Sequence, residues 1–191
     1  MNKIIEDLVV QLSHDPFNPE LNFKCAVEYQ RLNQTASAVS FYLRAAEFGV
    51  DTHKEVVYCS LLKIAECFKD QKDRQWNVTN YLLHAVSYLP ERPEAYFLIS
   101  QYYERESQWQ ECYTWAQLGL NANHTLKPLP TYIGYEGFYC LEFQKAMSGW
   151  WIGRKDESKF LFEKIDKMEN IAEQYRLASK SNIERIQNAT V

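Results

Sequence analysis

Apolar side chains, most of them small, recur along this chain at a nearly constant spacing. Within each group they occupy positions i, i+4 and i+7, which form one face of a helix with about 3.6 residues per turn. A stripe of small residues lets a second helix approach closely, and one pair of helices cannot bury both of its faces, so the stripes predict stacked helix pairs. Steps of 40 and then 34 residues separate the groups, which are Ala38, Tyr42 and Ala45; Val78, Leu82 and Ala85; and Cys112, Ala116 and Gly119.

A second helical pattern precedes each stripe, so every stripe is the second half of a predicted helix–turn–helix unit. Between the two helices of the third unit, Ser107 followed by Gln110 has the spacing of a capping box. We therefore expect Ser107 to cap the second helix of that unit. The preceding patterns are Asn22, Cys25, Ala26 and Tyr29; Leu62, Ala65, Glu66 and Lys69; and Tyr96, Ile99, Ser100 and Tyr103.

The composition favours helices and disfavours several kinds of partner. Only 6 Gly and 6 Pro occur in 191 residues, which is few for the many tight turns of a β-sandwich or barrel. The formal charge is −4 and no run of basic residues occurs, so we expect no nucleic-acid partner. Glu6 and Asp7 interrupt the first apolar stretch, and no apolar run of roughly 18 residues follows, so we expect no signal peptide and no membrane span. The sequence predicts a cytoplasmic protein.

The recurring positions resemble the tetratricopeptide repeat (TPR), a pattern of large and small residues that recurs every 34 residues. The resemblance implies an all-α, TPR-like right-handed superhelical α-solenoid of antiparallel helix pairs, with capping helices at both ends. The stretch 59–92 departs most from the pattern, because Glu66 and Lys69 stand where a small residue and Tyr are usual. The positions that match best are Tyr29, Ala38, Tyr42, Ala45, Ala85, Pro90, Tyr96 and Tyr103.

We predict that residues 1–191 form a single TPR-like domain. Small residues, turn residues and polar stretches divide it into capping helices, repeats and one loop. A degenerate fourth repeat follows the loop. The predicted divisions are a capping helix over 1–15, repeat 1 over 18–50, repeat 2 over 52–92, repeat 3 over 93–124, a loop over 125–135, repeat 4 over 136–168 and a capping helix over 169–191.

Three stretches, 34–49, 89–120 and 145–162, carry a closer resemblance. Together with the element WWIGRKDES within the last of them, they are similar to the TPR regions of predicted glycosyltransferases and to TPR proteins of marine viruses, notably cyanophages. This resemblance implies a context of sugar transfer or viral assembly. The chain has no room for the catalytic domain of such an enzyme and contains no Asp-x-Asp metal–nucleotide motif, so it would carry the helical scaffold alone.

The sequence carries no pattern typical of catalysis, metal binding or a cofactor. The four histidines, His14, His53, His84 and His124, are scattered, and none stands four residues from another. The five cysteines form no CxxC motif, and the six glycines form no phosphate-binding loop. We therefore predict a protein that is not an enzyme, with no catalytic residue, no metal and no cofactor.

In a TPR stack the first helices of successive repeats line a concave face, which is where a partner would bind. A two-carboxylate clamp would place Lys, Asn and Arg there, whereas this chain has Phe23, Val27 and Phe97. The alternative for residues 143–151 is that their aromatic side chains belong to the core. The predicted partner-binding residues are Phe23, Val27, Gln30, Arg31, Lys63, Cys67, Gln71, Phe97, Gln101, Arg105, Met147, Trp150 and Trp151.

These residues predict a protein–protein interaction scaffold that binds an apolar or aromatic peptide with one acidic group, because aromatic residues and Arg are favoured at interfaces. Two alternatives stay open. In the first, the chain is an accessory module that docks a glycosyltransferase or its acceptor. In the second, it is a structural component that assembles with copies of itself or with a virion protein, and its location is then the host cytoplasm.

Overall fold

The computed structural model describes residues 3–123 and 127–188 of the chain. Over these residues it contains ten α-helices and a 3₁₀-helix at Lys72–Arg74, with no strand. The described residues exclude 1–2 and 189–191 at the two chain ends. They also exclude His124 and the first two residues of the predicted loop, 125 and 126. The α-helices are α1 (Lys3–His14), α2 (Pro19–Arg31), α3 (Thr35–Gly49), α4 (Lys54–Phe68), α5 (Gln75–Tyr88), α6 (Glu94–Arg105), α7 (Trp109–Leu120), α8 (Phe138–Trp151), α9 (Lys155–Asp166) and α10 (Glu173–Asn188).

The chain divides into two compact units. The N-terminal unit comprises the residues up to Pro90 together with the segment Lys127–Ile133, and the C-terminal unit comprises the remainder. In the N-terminal unit each helix packs against the next from α1 to α5, and α2 also packs against α4. In the C-terminal unit each helix packs against the next from α6 to α10, and α8 also packs against α6 and α10. Both units are thus stacks of helix hairpins, as the sequence predicts.

In the N-terminal unit, α2 and α3 meet through small residues. The α2 helix begins where Asn18 accepts a hydrogen bond from the Leu21 amide at 3.0 Å, with Pro19 in the first turn. Ala26 on α2 and Ala38 on α3 have no exposed surface. The two helices pack against each other, and side chains that end at Cβ allow a close approach of this kind.

In the C-terminal unit, Gly119 at the end of α7 marks a close approach of helices. A Cβ atom built there would lie 2.8 Å from the Cβ of Tyr96 and 2.9 Å from a methyl carbon of Leu141. The Cβ of Tyr96 is fixed by the α6 backbone, so it cannot swing away as the end of a long side chain could. Gly119 therefore lets α7 touch both α6 and α8.

The turns inside three hairpins share one geometry. At Asn33, Ser107 and Gly153 the backbone has φ values of 56°, 56° and 84°, in the left-handed region. Each turn carries the paired hydrogen bonds of a Schellman motif, for example from the Gln108 amide to the Tyr103 carbonyl and from the Ser107 amide to the Glu104 carbonyl. The predicted capping box is therefore wrong: Ser107 terminates α6, and Gln108 precedes α7 without a capping side-chain hydrogen bond.

The last three helices of the C-terminal unit close over an apolar cluster. Phe143 on α8 packs edge-to-face against Phe162 on α9, with ring centroids 5.6 Å apart, and against Tyr175 at 5.2 Å. Ile186 on α10 is 7% exposed and joins the same cluster. Since most other residues of α10 are polar, this helix covers the apolar face of α8 and α9 and turns a polar face outward.

The close approach at Gly119 leads to a stability prediction. Gly119→Ala should lower the free energy of unfolding by about 1–3 kcal/mol, because the added methyl group overpacks the contact among α6, α7 and α8. Gly149→Ala is the matched control, since its added Cβ would have no neighbour closer than 3.7 Å. Urea unfolding followed by circular dichroism measures both, and equal stability of the two variants would contradict the packing described.

The turn at Ser107 leads to a prediction of opposite sign. Ser107→Gly should raise the free energy of unfolding by about 0.5–1 kcal/mol, because glycine adopts a positive φ without the steric penalty of a side chain. Gln108→Gly, one residue later, should not stabilise the chain. The same unfolding measurement compares them, and a loss of stability in Ser107→Gly would show that the left-handed turn is absent in solution.

Candidate functional site

The N-terminal unit contains an apolar depression between α1, α2 and α4, called the α2 groove below. Its volume is about 470 Å³. It has the size and apolar lining typical of a ligand-binding pocket. The apolar residues that line it are Ile4, Leu8, Phe23, Val27 and Val56.

The rest of the α2 groove is polar or comes from a distant part of the sequence. Glu20 and Lys24 are exposed residues of α2 and Glu28 is half-buried; together they supply two carboxylates and one ammonium group. Pro130 and Thr131, from the segment Lys127–Ile133, line the groove as well. The groove is thus built from three helices and one non-helical segment.

The four predicted partner-binding residues of α2 have different environments. Phe23 is 6% exposed and packs edge-on against Tyr42, with ring centroids 5.6 Å apart, so it forms the floor of the α2 groove. Val27 is half-buried and lines the same groove. Gln30 accepts a hydrogen bond from the Tyr42 hydroxyl at 2.7 Å, which engages it with α3. Arg31 is exposed and pairs with Glu28 at 2.9 Å.

The predicted residues of α4, and Gln71 three residues beyond its end, interact mainly with α4 and its C-terminal continuation. The Lys63 ammonium pairs with Glu66 at 2.8 Å. Cys67 is half-buried, and burial raises the pKa of its thiol to about 11, so the thiol stays protonated near neutral pH. The Gln71 amide donates to the Cys67 carbonyl at 3.0 Å. None of these three residues lines the α2 groove.

For α6 the structure corrects one prediction. Phe97 has no exposed surface, and its ring packs against Tyr135, with centroids 5.5 Å apart. Phe97 is therefore a core residue of the C-terminal unit and not an accessible partner contact. Gln101 is half-buried, and its carbonyl accepts a hydrogen bond of 3.4 Å from Nε of the exposed Arg105.

The predicted residues of α8 line a cavity in the C-terminal unit, called the tryptophan pocket below. Its volume is about 490 Å³. Tryptophan, methionine and arginine are the residue types most enriched at protein interfaces. The pocket is lined by Trp109 from α7; Met147, Trp150 and Trp151 from α8; Phe162 from α9; and Asn182, Arg185 and Ile186 from α10.

The aromatic rings of this region divide between the core and the surface. Phe143 is 8% exposed and belongs to the core, as the alternative reading of residues 143–151 expects for it. Trp151 is 60% exposed and stacks on Trp109, with centroids 5.3 Å apart and ring planes within 16°. The Lys155 ammonium lies 5.0 Å from the centroid of the Trp150 ring. The tryptophan pocket thus has a stacked aromatic wall with a cation beside it.

The sequence prediction missed Trp109 and Arg185. It took candidate residues only from the first helix of each repeat, whereas Trp109 begins a second helix and Arg185 lies on the last helix. The one signal in the sequence is that Trp109 is a large aromatic residue outside the apolar stripe of α7. Nothing in the sequence places Arg185 near α8.

Two kinds of feature are absent from the part of the chain that is described. Over residues 3–123 and 127–188, no group of three His, Cys, Asp or Glu side chains is arranged to hold a metal ion. Within the same residues, no helix is both long and apolar enough to traverse a bilayer. The expected lack of a cofactor and of catalysis stays a prediction.

Solved structures show the fold. The chain aligns with the crystal structure of MamA at a TM-score of 0.61 and 13% identity, over 95% of this chain and 89% of that one. For TTC0263, a TPR protein of Thermus thermophilus, the TM-score is 0.59 and the identity 14%, over 93% and 87% of the two chains. For yeast Tom70 the TM-score is 0.55 and the identity 12%, over 100% of this chain and 44% of that one. No protein-family model and no curated protein matches the chain. The likeness is one of fold, and it confirms the predicted TPR-like α-solenoid.

Proposed function

We propose that the chain is a non-enzymatic protein-interaction scaffold and that the tryptophan pocket receives an apolar or aromatic side chain of a partner peptide. The observation that carries the proposal is the stack of Trp109 and Trp151 beside Met147 and Arg185, in a cavity of about 490 Å³. Stacked tryptophans present a large apolar surface that loses little conformational entropy on binding. A rigid aromatic wall of this kind is typical of a binding hot spot.

The polar groups of the tryptophan pocket indicate the charge of the partner. Arg185 brings a guanidinium and Asn182 an amide to the wall formed by α10. Lys155 adds an ammonium group beside Trp150. A carboxylate next to the bound apolar side chain would be attracted to these cations, which supports the expected peptide with one acidic group.

The proposal also includes the grouping of the helices into repeats that the sequence predicts. We take the hairpins α2–α3, α4–α5, α6–α7 and α8–α9 as four successive repeats of one domain, with α1 and α10 as the capping helices. A continuous concave surface over α2, α4, α6 and α8 remains a prediction, as does a cytoplasmic location. Accessory work for a glycosyltransferase, assembly into a virion and self-association also stay predictions, since none of the comparisons bears on them.

A selection from a random peptide library tests the proposal. The full chain is the bait, and enriched peptides are synthesised and titrated by fluorescence polarisation. We expect them to carry an aromatic or large apolar residue near an Asp or Glu. Trp151→Ala should weaken their binding by about tenfold or more, because the exposed ring forms one wall of the pocket. Arg185→Gln should weaken the acidic peptides selectively.

The matched control is Phe160→Ala on α9, which removes a ring that is 64% exposed and does not line the tryptophan pocket. This variant should bind the enriched peptides as the parent chain does. Enriched peptides that bind equally well to the parent chain and to Trp151→Ala would contradict the proposal.

A further inference from the structure

The segment Lys127–Ile133 belongs to the N-terminal unit, although it lies between α7 and α8 of the other unit in sequence. Its sequence is KPLPTYI, and none of it is helix or strand. Pro128 and Pro130 fix their own φ angles and bias the preceding residues towards an extended backbone. Little conformational freedom is therefore left for this segment to lose on binding.

The segment is not uniformly exposed. Leu129, Thr131 and Ile133 are half-buried, whereas Pro128, Pro130 and Tyr132 are exposed. The half-buried residues show that part of the segment lies against other parts of the chain, while the backbone bends at Pro130 and Thr131. A solvated linker would instead be exposed throughout.

The centre of the segment borders the α2 groove. Pro130 and Thr131 line this groove together with Phe23, Val27 and Val56. The groove is therefore lined by a proline-containing piece of the same chain, while a volume of about 470 Å³ remains beside it.

We propose that Lys127–Ile133 is a tethered occupant of the α2 groove, and that it competes there with a proline-containing peptide of a partner. Apolar surface on α1, α2 and α4 would hold the peptide on the side where Pro130 and Thr131 border the groove. A tethered segment acts at a local concentration of order millimolar, so a partner must bind better than the segment to displace it. The site differs from the tryptophan pocket, and the inference does not rest on the function proposed for that pocket.

The experiment replaces residues 127–133 of the full chain with a Gly/Ser stretch of equal length. The probe is a fluorescent synthetic peptide with the sequence of residues 127–133. We expect the replaced chain to bind it at least about tenfold more tightly than the parent chain, because the tethered competitor is gone. A peptide of the same composition in scrambled order should not bind.

Two variants of the replaced chain locate the site. Val27→Asp puts a charge into the apolar wall of the α2 groove and should weaken binding by about tenfold or more. Leu83→Asp, on α5 and 41% exposed, is the matched control and should bind unchanged, as should Trp151→Ala. Equal binding by the replaced and parent chains, or no effect of Val27→Asp, would overturn the proposal.

A second measurement uses variants that keep residues 127–133, so it tests the proposal even if the replaced chain does not fold. Chymotryptic cleavage after Tyr132 should become faster in Val27→Asp than in Leu83→Asp, since only the first variant disturbs the α2 groove. Equal cleavage rates in the two variants would overturn the proposal. Because no partner peptide is involved, failure here leaves the test of the tryptophan pocket unaffected.

Discussion

The structure depends on close contact between helices at positions where the side chain ends at Cβ or is missing. Ala26 and Ala38 are fully buried on the two helices that pack against each other in the N-terminal unit, and Gly119 marks the contact of α7 with α6 and α8 in the C-terminal unit. Because the helices meet there, large residues near the contact become fully buried, as Tyr42 is against α2. The packing of each hairpin and the residues left outside its core follow from this one constraint.

Both candidate binding sites are made of apolar residues that lie beside these helix contacts. The floor of the α2 groove is Phe23, whose ring also packs against the buried Tyr42. The tryptophan pocket lies where Met147 and Trp150 pack against the core cluster of α8 and α9. Each site therefore has a rigid base that belongs to the fold, and an outer part from Val27 or Trp151 that a partner can reach.

Sequence periodicity predicts contacts within a hairpin and misses contacts made by distant segments. The small residues of α3 and α7 are buried as their spacing indicates. The helical period assigns Phe97 to the outer face of α6, yet its ring packs against Tyr135 from the segment before α8. That contact joins distant parts of the sequence, so no helical period reveals it. Ser107 and Gln110 fit a capping box, but the chain reversal requires a left-handed residue at Ser107. Arg185 enters the tryptophan pocket only because α10 folds back on α9.

The most direct measurement compares two alanines of α3, one inside and one outside the helix contact. Ala38 has no exposed surface, whereas Ala36 is exposed on the same helix. Urea unfolding should show that Ala38→Leu lowers the free energy of unfolding by about 1–3 kcal/mol because it overpacks the contact with α2. Ala36→Leu should change it by no more than about 0.5 kcal/mol. Equal effects of the two substitutions would show that small residues do not hold these helices together.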